Sequence, residues 1–304
     1  MSDPAASVVI ACHTDERWPS LLHAIASARA QEPAQMIVAV DHNPGLCTRL
    51  RDIPEPIEVV DHRGVPGASG TRNAGAKLAT APVLVFLDDD VRTRAGWLHE
   101  LLAPLADAGV VGSGGLTEPA WEGPRPAWFP DEFAWVVGGS YAGLPTTAGP
   151  VRNVWSENMA VRRGEFEMVG GFRTGFGKLG STSRPEDTDL CLRINARAPG
   201  TRWMYVPAAV VDHEVPSERA TLAFFLRRCY SEGAGKVELS AHLGRDRDLG
   251  AERSYLLRTL PAAIAHYLRT GNVSRALAIL AGVLAAAAGA GMSVMHAAQR
   301  RRRR

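Results

Sequence analysis

A run of large apolar residues that stops at three consecutive aspartates is the feature that most limits how this chain can fold. The run extends from Val83 to Leu87 and is followed at once by Asp88, Asp89 and Asp90. A short, continuous apolar run of this kind predicts a strand that is buried on both faces, as in a parallel sheet. Parallel sheets bind their ligands at the carboxyl ends of the strands, so the sequence places three carboxylates at a predicted binding edge.

Strand-like and helix-like patterns alternate through the first third of the chain. The β-branched run SVVIAC is followed by apolar residues at helical spacing, and MIVAV and IEVVD are again strand-like. This alternation predicts an α/β fold, with a mixed, mainly parallel sheet covered by helices on both faces. From Gly109 to Pro150 the pattern gives way to Gly, Pro and Trp, which favours irregular structure. We predict one domain over residues 1–218, a helical region over 219–299 and a basic tail over 300–304.

The charge distribution and the cysteine content indicate which partners the protein can bind and in which cellular compartment it functions. The net charge of the 304 residues is +2, but the tail supplies five of the 34 basic residues, and the remainder carries 29 basic against 32 acidic residues. A slightly acidic body with a basic tail excludes a typical nucleic-acid-binding domain and suits contact with an anionic membrane surface. The four cysteines are dispersed and the N-terminus lacks the features of a signal peptide, so we expect a cytoplasmic protein.

The C-terminal region raises the question of a membrane. Residues 276–295 form a run of twenty residues without a charged side chain, which is long enough to span a bilayer. The run is mostly Ala and Gly, and a single span from a cytoplasmic body would place the following arginines outside, against the positive-inside rule. We therefore expect helices that lie on the inner membrane face or pack as an appendage; a true span and a soluble helix pair are the alternatives.

The three aspartates repel one another unless a cation or a proton reduces their charge. Asp88 and Asp90 are two residues apart and point to the same side of an extended chain, so one divalent ion can meet both. Mg²⁺ and Mn²⁺ prefer oxygen ligands and keep coordination positions for phosphate. The alternative is a solvated acidic turn that begins the next helix.

Three further patterns carry groups suited to catalysis. The glycine-rich segment GVPGASGTRNAG enters a predicted helix with Arg72 and Asn73 in its first turns, and it matches neither G-x-G-x-x-G nor a Walker sequence. RPEDTDLCLR places Glu186 and Asp187 before a helix, and His213 ends an apolar strand. Each has a structural alternative: a tight turn with a cap, acids that complement the helix dipole, and a histidine of the core.

In this order, the patterns resemble those of family 2 glycosyltransferases with the GT-A fold. The resemblance covers roughly Ser7 to Pro216, in the segments VVIACHTDERWPSLLHAIASARAQ, GASGTRNAG, VLVFLDDD, SENMAVRR, GGFRTGFG and PEDTDLCLR. It implies a three-layer α/β/α fold, an inverting reaction and a nucleoside-diphosphate-sugar donor, UDP-linked, held through Mn²⁺ or Mg²⁺ at the D-x-D aspartates. Residues 1–110 would form the donor half of the domain, and residues 111–218 the half that carries the acceptor site and the catalytic base.

The same resemblance implies roles for individual residues. Asp187 would be the catalytic base and Glu186 would position it, although the residues alone leave open which of the two reacts. The metal ligands would be Asp88, Asp90 and His213. The donor-binding positions would be Ala11, His13, Asp41, Arg72, Asn73, Asp88 and Asp89. The segments ACHTDE and VDHNP depart from the usual family pattern, and no Q-x-x-R-W motif of processive synthases is present, which favours a single addition.

The sequence also bears on the acceptor of the sugar and on two alternative functions. The segment PRPAWFPDEFAWVVGGSYAGLP is similar to that of glucosyl-dolichyl-phosphate glucuronosyltransferases, which implies a polyprenyl-linked sugar as acceptor; a soluble acceptor and an exopolysaccharide intermediate are the alternatives. A catalytically silent sugar-nucleotide-binding scaffold would lack the base, whereas Asp187 is present. A nucleotidyltransferase of related fold would carry a glycine-rich basic signature after the first strand, where this chain has ACHTDERW.

Overall fold

The computed structural model describes residues 3–177, 184–243 and 250–302. Of the predicted basic tail, residues 303 and 304 lie outside the described residues. The chain forms two compact units, and the domain boundary predicted at residue 218 stays a prediction. The first unit comprises Met1–Glu118, Pro145–Ser181 and Glu186–His213, and the second comprises Pro119–Leu144, Thr182–Pro185 and Glu214–Arg304.

A mixed sheet is the central element of the fold, and nine strands can be assigned to it within the described residues. The strands are β1 (Ala6–Cys12), β2 (Gln35–Asp41), β3 (Glu58–His62), β4 (Val83–Asp88), β5 (Val91–Thr93), β6 (Val110–Trp121), β7 (Gly149–Val151), β8 (Asn158–Arg162) and β9 (Arg202–Val215). Their order is β3-β2-β1-β4-β8-β6-β9-β5, with β7 paired to β9. Strands β1 to β4 are parallel, whereas β8 joins β4 in the antiparallel direction.

Helices connect the strands, and further helices follow the last strand as far as Arg302. The α-helices of the described residues are α1 (Trp18–Arg29), α2 (Pro44–Arg51), α3 (Ala68–Leu78), α4 (Trp97–Leu102), α5 (Arg163–Met168), α6 (Glu186–Arg197), α7 (Leu222–Leu243), α8 (Gly250–Ser254), α9 (Leu260–Arg269) and α10 (Val273–Arg302). A short 3₁₀ turn, Asp15–Arg17, precedes α1. Thr14 caps this turn, because its hydroxyl accepts a hydrogen bond from the N–H of Glu16.

Strand β4 shows why helices cover both faces of the sheet. Its side chains alternate between the faces, as in any strand. Val85 and Leu87 belong to an apolar core shared with α1, α2 and α4, whereas Leu84 and Phe86 belong to a second core shared with α3, α5 and α6. The predicted α/β fold, with its mixed sheet between two helical layers, is confirmed.

The second unit has an aromatic core and a pair of long, closely packed helices. Phe133 and Phe225 have ring centroids 5.3 Å apart within this core, and α7 lies along α10. A Cβ atom on Gly233 would lie 1.9 Å from the carbonyl oxygen of Ala286, and one on Gly289 would lie 1.9 Å from that of Tyr230. The two helices therefore meet backbone to backbone, and the predicted C-terminal helical appendage is confirmed.

Candidate active site

The candidate site lies in the first unit, where β1 and β4 end side by side. Ala11 of β1 is in register with Asp88, the last residue of β4. Directly after the aspartates, β5 pairs with β9 so that Val91 is opposite His213, and this pairing brings the histidine next to Asp90. The sheet register thus assembles side chains from distant parts of the sequence at one edge.

Arg72 joins the aspartate run to the acidic pair of α6. Its Nη2 lies 2.6 Å from Oδ1 of Asp88, and its Nη1 lies 3.3 Å from Oε1 of Glu186. Arg72 is almost completely buried, at 4% exposure. Burial alone would lower the pKa of this guanidinium, but the charges of Asp88 and Glu186 raise it overall. A single buried cation therefore holds two carboxylates that are 98 residues apart in the sequence.

Glu186 and Asp187 begin α6 and differ in their surroundings. Burial and the neighbouring Asp187 charge raise the pKa of Glu186 to about 8, against the opposing charge of Arg72. Burial also raises the pKa of Asp187, which accepts hydrogen bonds from the hydroxyl and the backbone N–H of Ser156. Asp187 is the less buried of the two acids by exposed fraction, and its Oδ1 is a buried acceptor without a hydrogen bond among the described residues.

Asp89 and Asp90 share a second arginine. Nη1 of Arg17 lies 2.9 Å from Oδ1 of Asp89 and 2.9 Å from Oδ2 of Asp90. Burial and the charge of Asp90 raise the pKa of Asp89 to about 6, although Arg17 opposes the shift. Burial would lower the pKa of Arg17, but the charges of Asp90 and Asp89 raise it overall.

His213 supplies a nitrogen next to the aspartates. Its Nε2 lies 3.3 Å from Oδ1 of Asp90, both residues are buried, and its Nδ1 has no hydrogen-bond partner among the described residues. Carboxylate oxygens and an imidazole nitrogen form a donor set that suits a divalent transition-metal ion such as Mn²⁺. Within the described part of the chain, no three Cys, His, Asp or Glu side chains converge as a complete metal site. Asp90 and His213 therefore bring two suitable donors together, and a cation held there would need further ligands.

Other predicted donor-binding residues have internal partners in the structure. Oδ2 of Asp41 accepts from the backbone N–H of Gly67 at 2.8 Å, which fixes the entry to α3. The amide of Asn73 donates to the carbonyl oxygen of Phe172 at 2.7 Å and accepts from its N–H at 2.9 Å. The carbonyl oxygen of His13 accepts from Asn43 at 3.3 Å. The contacts of Asp41 and Asn73 are those of residues that shape the loops around the site.

Sequence reasoning missed Arg17, Ser156 and Glu157. Burial raises the pKa of Glu157 well above its usual value, with the charges of Asp187 and Asp88 adding to the shift. A weak signal for Ser156 and Glu157 exists in the segment SENMAVRR, which carries the family resemblance without a role for its first residues. Arg17 follows the first strand, where a basic residue could have been matched to the acidic run.

Comparison with known proteins identifies related sequences. The family model "Glycosyl transferase family 2" matches residues 7–169. The glucosyl-dolichyl phosphate glucuronosyltransferase of Haloferax volcanii is 30% identical over 240 residues, which are 76% of this chain and 75% of the relative. The succinoglycan biosynthesis protein ExoM of Rhizobium meliloti is 30% identical over 164 residues, which are 53% of this chain and 49% of the relative.

Two solved structures show the same fold at low sequence identity. The mannosyltransferase PcManGT of Pyrobaculum calidifontis, in complex with GDP-Man and Mn²⁺, has a TM-score of 0.61 and 18% identity, and the match covers 93% of this chain and 87% of that one. GalNAc-T7 with UDP, GalNAc and Mn²⁺ has a TM-score of 0.55 and 17% identity, and the match covers 84% of this chain and 54% of that one. The prediction of the GT-A fold is confirmed.

Proposed function

Because the chain belongs to glycosyl transferase family 2, we propose that it moves a sugar from a UDP-linked donor to an acceptor hydroxyl with inversion at the anomeric carbon. The bridge from Asp88 through Arg72 to Glu186 carries this proposal. It holds the acidic run at the strand end next to the acidic pair of α6. A diphosphate site and a proton acceptor are therefore close enough to act on one sugar.

The reaction assigns a task to each acid of the pair. Asp187 accepts the proton of the acceptor hydroxyl as that oxygen forms its bond to the anomeric carbon, while the bond from this carbon to the diphosphate breaks and the electron pair leaves with the diphosphate. Ser156 orients the Asp187 carboxylate through its two hydrogen bonds. Glu186 is held by Arg72 and positions that guanidinium.

A divalent cation is the cofactor that the site accommodates, Mn²⁺ or Mg²⁺. Asp90 and His213, whose Oδ1 and Nε2 atoms lie 3.3 Å apart, would supply two of its ligands, and Asp88, held by Arg72 at the end of β4, is the proposed third. When bound, such an ion neutralises the negative charge that develops on the leaving diphosphate. The two solved structures of the same fold contain Mn²⁺, which supports the assignment. Arg72 contributes a fixed positive charge at the same edge without an exchangeable proton in the working pH range.

For the acceptor, we infer a polyprenyl-phosphate-linked sugar. Support comes from the Haloferax relative, whose name states that it acts on glucosyl-dolichyl phosphate and which aligns with three quarters of this chain. The second unit has surface properties that suit a lipid-linked substrate. Exposed apolar side chains follow one face of α10, including Leu277, Leu280 and Leu284.

We infer that the protein is peripheral to the inner face of the membrane. Among the described residues, one segment, Val273–His296, is long and apolar enough to cross a bilayer. Its helix is packed against α7, however, which carries charged residues such as Arg227, Arg228 and Lys236. A span by α10 would bring these charges into the hydrocarbon or break the packing, and both are costly. Contact through the exposed face avoids either cost.

Product analysis tests the proposed function. The purified protein is incubated with Mn²⁺, a panel of nucleotide sugars and a glucosylated polyprenyl phosphate, and the products are identified by mass spectrometry and their anomeric configuration by NMR. We expect one sugar to be added with inverted configuration from a UDP-linked donor. Retention of configuration would contradict the mechanism, and binding of UDP without transfer from any donor would support the scaffold alternative.

A further inference from the structure

Arg17 is placed between two carboxylates of the aspartate run. One nitrogen, Nη1, makes both contacts, to Oδ1 of Asp89 and to Oδ2 of Asp90, each at 2.9 Å. Asp89 and Asp90 are 4% and 6% exposed, so their charges are largely removed from water. Arg17 itself keeps 28% of its side chain exposed, which leaves the guanidinium at the border of the site.

The arrangement balances charge within the protein. Buried carboxylates are costly unless each has a partner of opposite charge. Asp88 has such a partner in Arg72, and Arg17 is a cationic partner of both Asp89 and Asp90. The two guanidiniums come from segments that follow different strands, β1 and β3. Each of them contacts different aspartates of the run.

The same contact constrains Asp90. Its Oδ2 is bonded to Arg17, while Oδ1 lies 3.3 Å from Nε2 of His213. These two contacts help to fix the orientation of the carboxylate. A cation that binds either oxygen of Asp90 lies close to the guanidinium of Arg17, so the two positive charges repel each other and Arg17 weakens the binding of the cation.

We propose that Arg17 is a resident counter-ion of Asp89 and Asp90, a positioning residue that holds both carboxylates when no divalent cation is bound and that competes with the cation for Asp90. This inference rests on the cation site of the proposed transferase. It has a direct consequence: removal of Arg17 makes the fold more dependent on the cation and strengthens cation binding, because the carboxylates lose their internal partner.

Manganese titration in the absence of nucleotide tests the proposal. Free Mn²⁺ is measured by electron paramagnetic resonance, and thermal unfolding is recorded in EDTA and in Mn²⁺, for the wild type, Arg17→Gln, Arg17→Lys and Arg49→Gln. Arg17→Gln should unfold several degrees lower in EDTA, regain stability in Mn²⁺ and bind Mn²⁺ about threefold or more tightly than the wild type. Arg17→Lys should resemble the wild type, because one nitrogen makes both contacts.

Arg49→Gln is the matched control for net charge. Arg49 stacks on Trp18, with its guanidinium carbon 3.8 Å from the ring centroid, and is paired with Asp15 rather than with the run. It should bind Mn²⁺ like the wild type. Equal or weaker Mn²⁺ binding by folded Arg17→Gln would overturn the proposal, as would the absence of Mn²⁺ binding in every protein.

The proposal can also be tested if Arg17→Gln does not fold without a cation. If Arg17→Gln is unfolded in EDTA, recovery of the folded protein by Mn²⁺ supports the counter-ion role, and failure to recover overturns it. No sugar donor is present in these titrations. Failure of the transferase proposal would instead appear in the product analysis, so the two outcomes are separable.

Discussion

The guanidinium of Arg72 lies 2.6 Å from Asp88 at the end of β4 and also contacts Glu186 at the start of α6. Two acidic segments that are far apart in the sequence are thus held by one buried side chain. The planar guanidinium reaches both carboxylates with different nitrogens, which a single ammonium group does not reproduce.

Arg72→Lys should therefore weaken donor binding. We expect the dissociation constant for UDP in Mn²⁺ to rise about tenfold or more, and the free energy of unfolding to fall by ~2 kcal/mol or more, because a buried carboxylate loses its partner. Calorimetric titration and urea unfolding measure the two effects. Arg63→Lys is the control, since Arg63 is paired with Asp61 but is 56% exposed. Equal losses in both variants would argue against a special role for Arg72.

The acidic pair predicts a pH dependence of stability. Glu186 has a pKa raised by burial and by Asp187 from the usual 4.5 to about 8, so between these values the folded state binds more protons than the unfolded state. Stability from this group must then fall as pH rises through that window. Glu186→Gln lacks this titration. Its free energy of unfolding relative to that of the wild type should therefore rise from pH 5 to pH 8, by an amount on the order of a few kcal/mol. Melting temperatures recorded across this pH range measure the change.

Glu167→Gln removes the same charge from the exposed surface of α5 and serves as the control for this series. The difference in melting temperature between Glu167→Gln and the wild type should stay constant across the pH range. If the stability of Glu186→Gln minus that of the wild type stays constant or falls as pH rises, the pKa of Glu186 is not raised in the folded protein.

The helix pair of the second unit offers a prediction about packing. A methyl group at Gly289 would collide with the backbone of Tyr230, whereas Gly291 has no atom within 4 Å of the corresponding position. Gly289→Ala should lower the melting temperature. Gly291→Ala, on the same helix, should leave the melting temperature unchanged or raise it, because alanine favours the helix over glycine by ~1 kcal/mol. If Gly289→Ala is as stable as Gly291→Ala, the close contact of α7 and α10 does not exist in solution.

The exposed face of α10 predicts binding to anionic vesicles. Leu280 and Leu284 are 48% and 70% exposed, and burial of a leucine in hydrocarbon stabilises by ~2 kcal/mol. The double variant Leu280→Gln and Leu284→Gln should lower co-sedimentation with phosphatidylserine-containing vesicles about tenfold or more. Val65→Gln, at an exposed apolar position of the first unit, should bind like the wild type. Unchanged binding by the double variant would place the membrane contact elsewhere.

Sequence reasoning located the edge of the sheet better than it located the contacts there. The aspartates after β4 could be placed at a strand end because the continuous apolar run stops where they begin. The fold class could be predicted because strand-like and helix-like patterns alternate along the chain. The pairings of Arg17 with Asp89, and of Asn73 with Phe172, join residues 72 and 99 positions apart. Such partners depend on tertiary packing, which local patterns do not record. Motif resemblance identified residues near the site but not which of them hold its loops.

Asp187 is the residue on which the proposed chemistry depends most. The most direct test compares transfer and donor binding in the same preparations of the wild type and Asp187→Asn, with the transfer rate measured at saturating donor and the dissociation constant of UDP measured by calorimetry in Mn²⁺. We predict that transfer falls about a hundredfold or more while the dissociation constant stays within about threefold, because asparagine keeps the shape but cannot accept the proton. Transfer by Asp187→Asn at close to the wild-type rate would contradict the account.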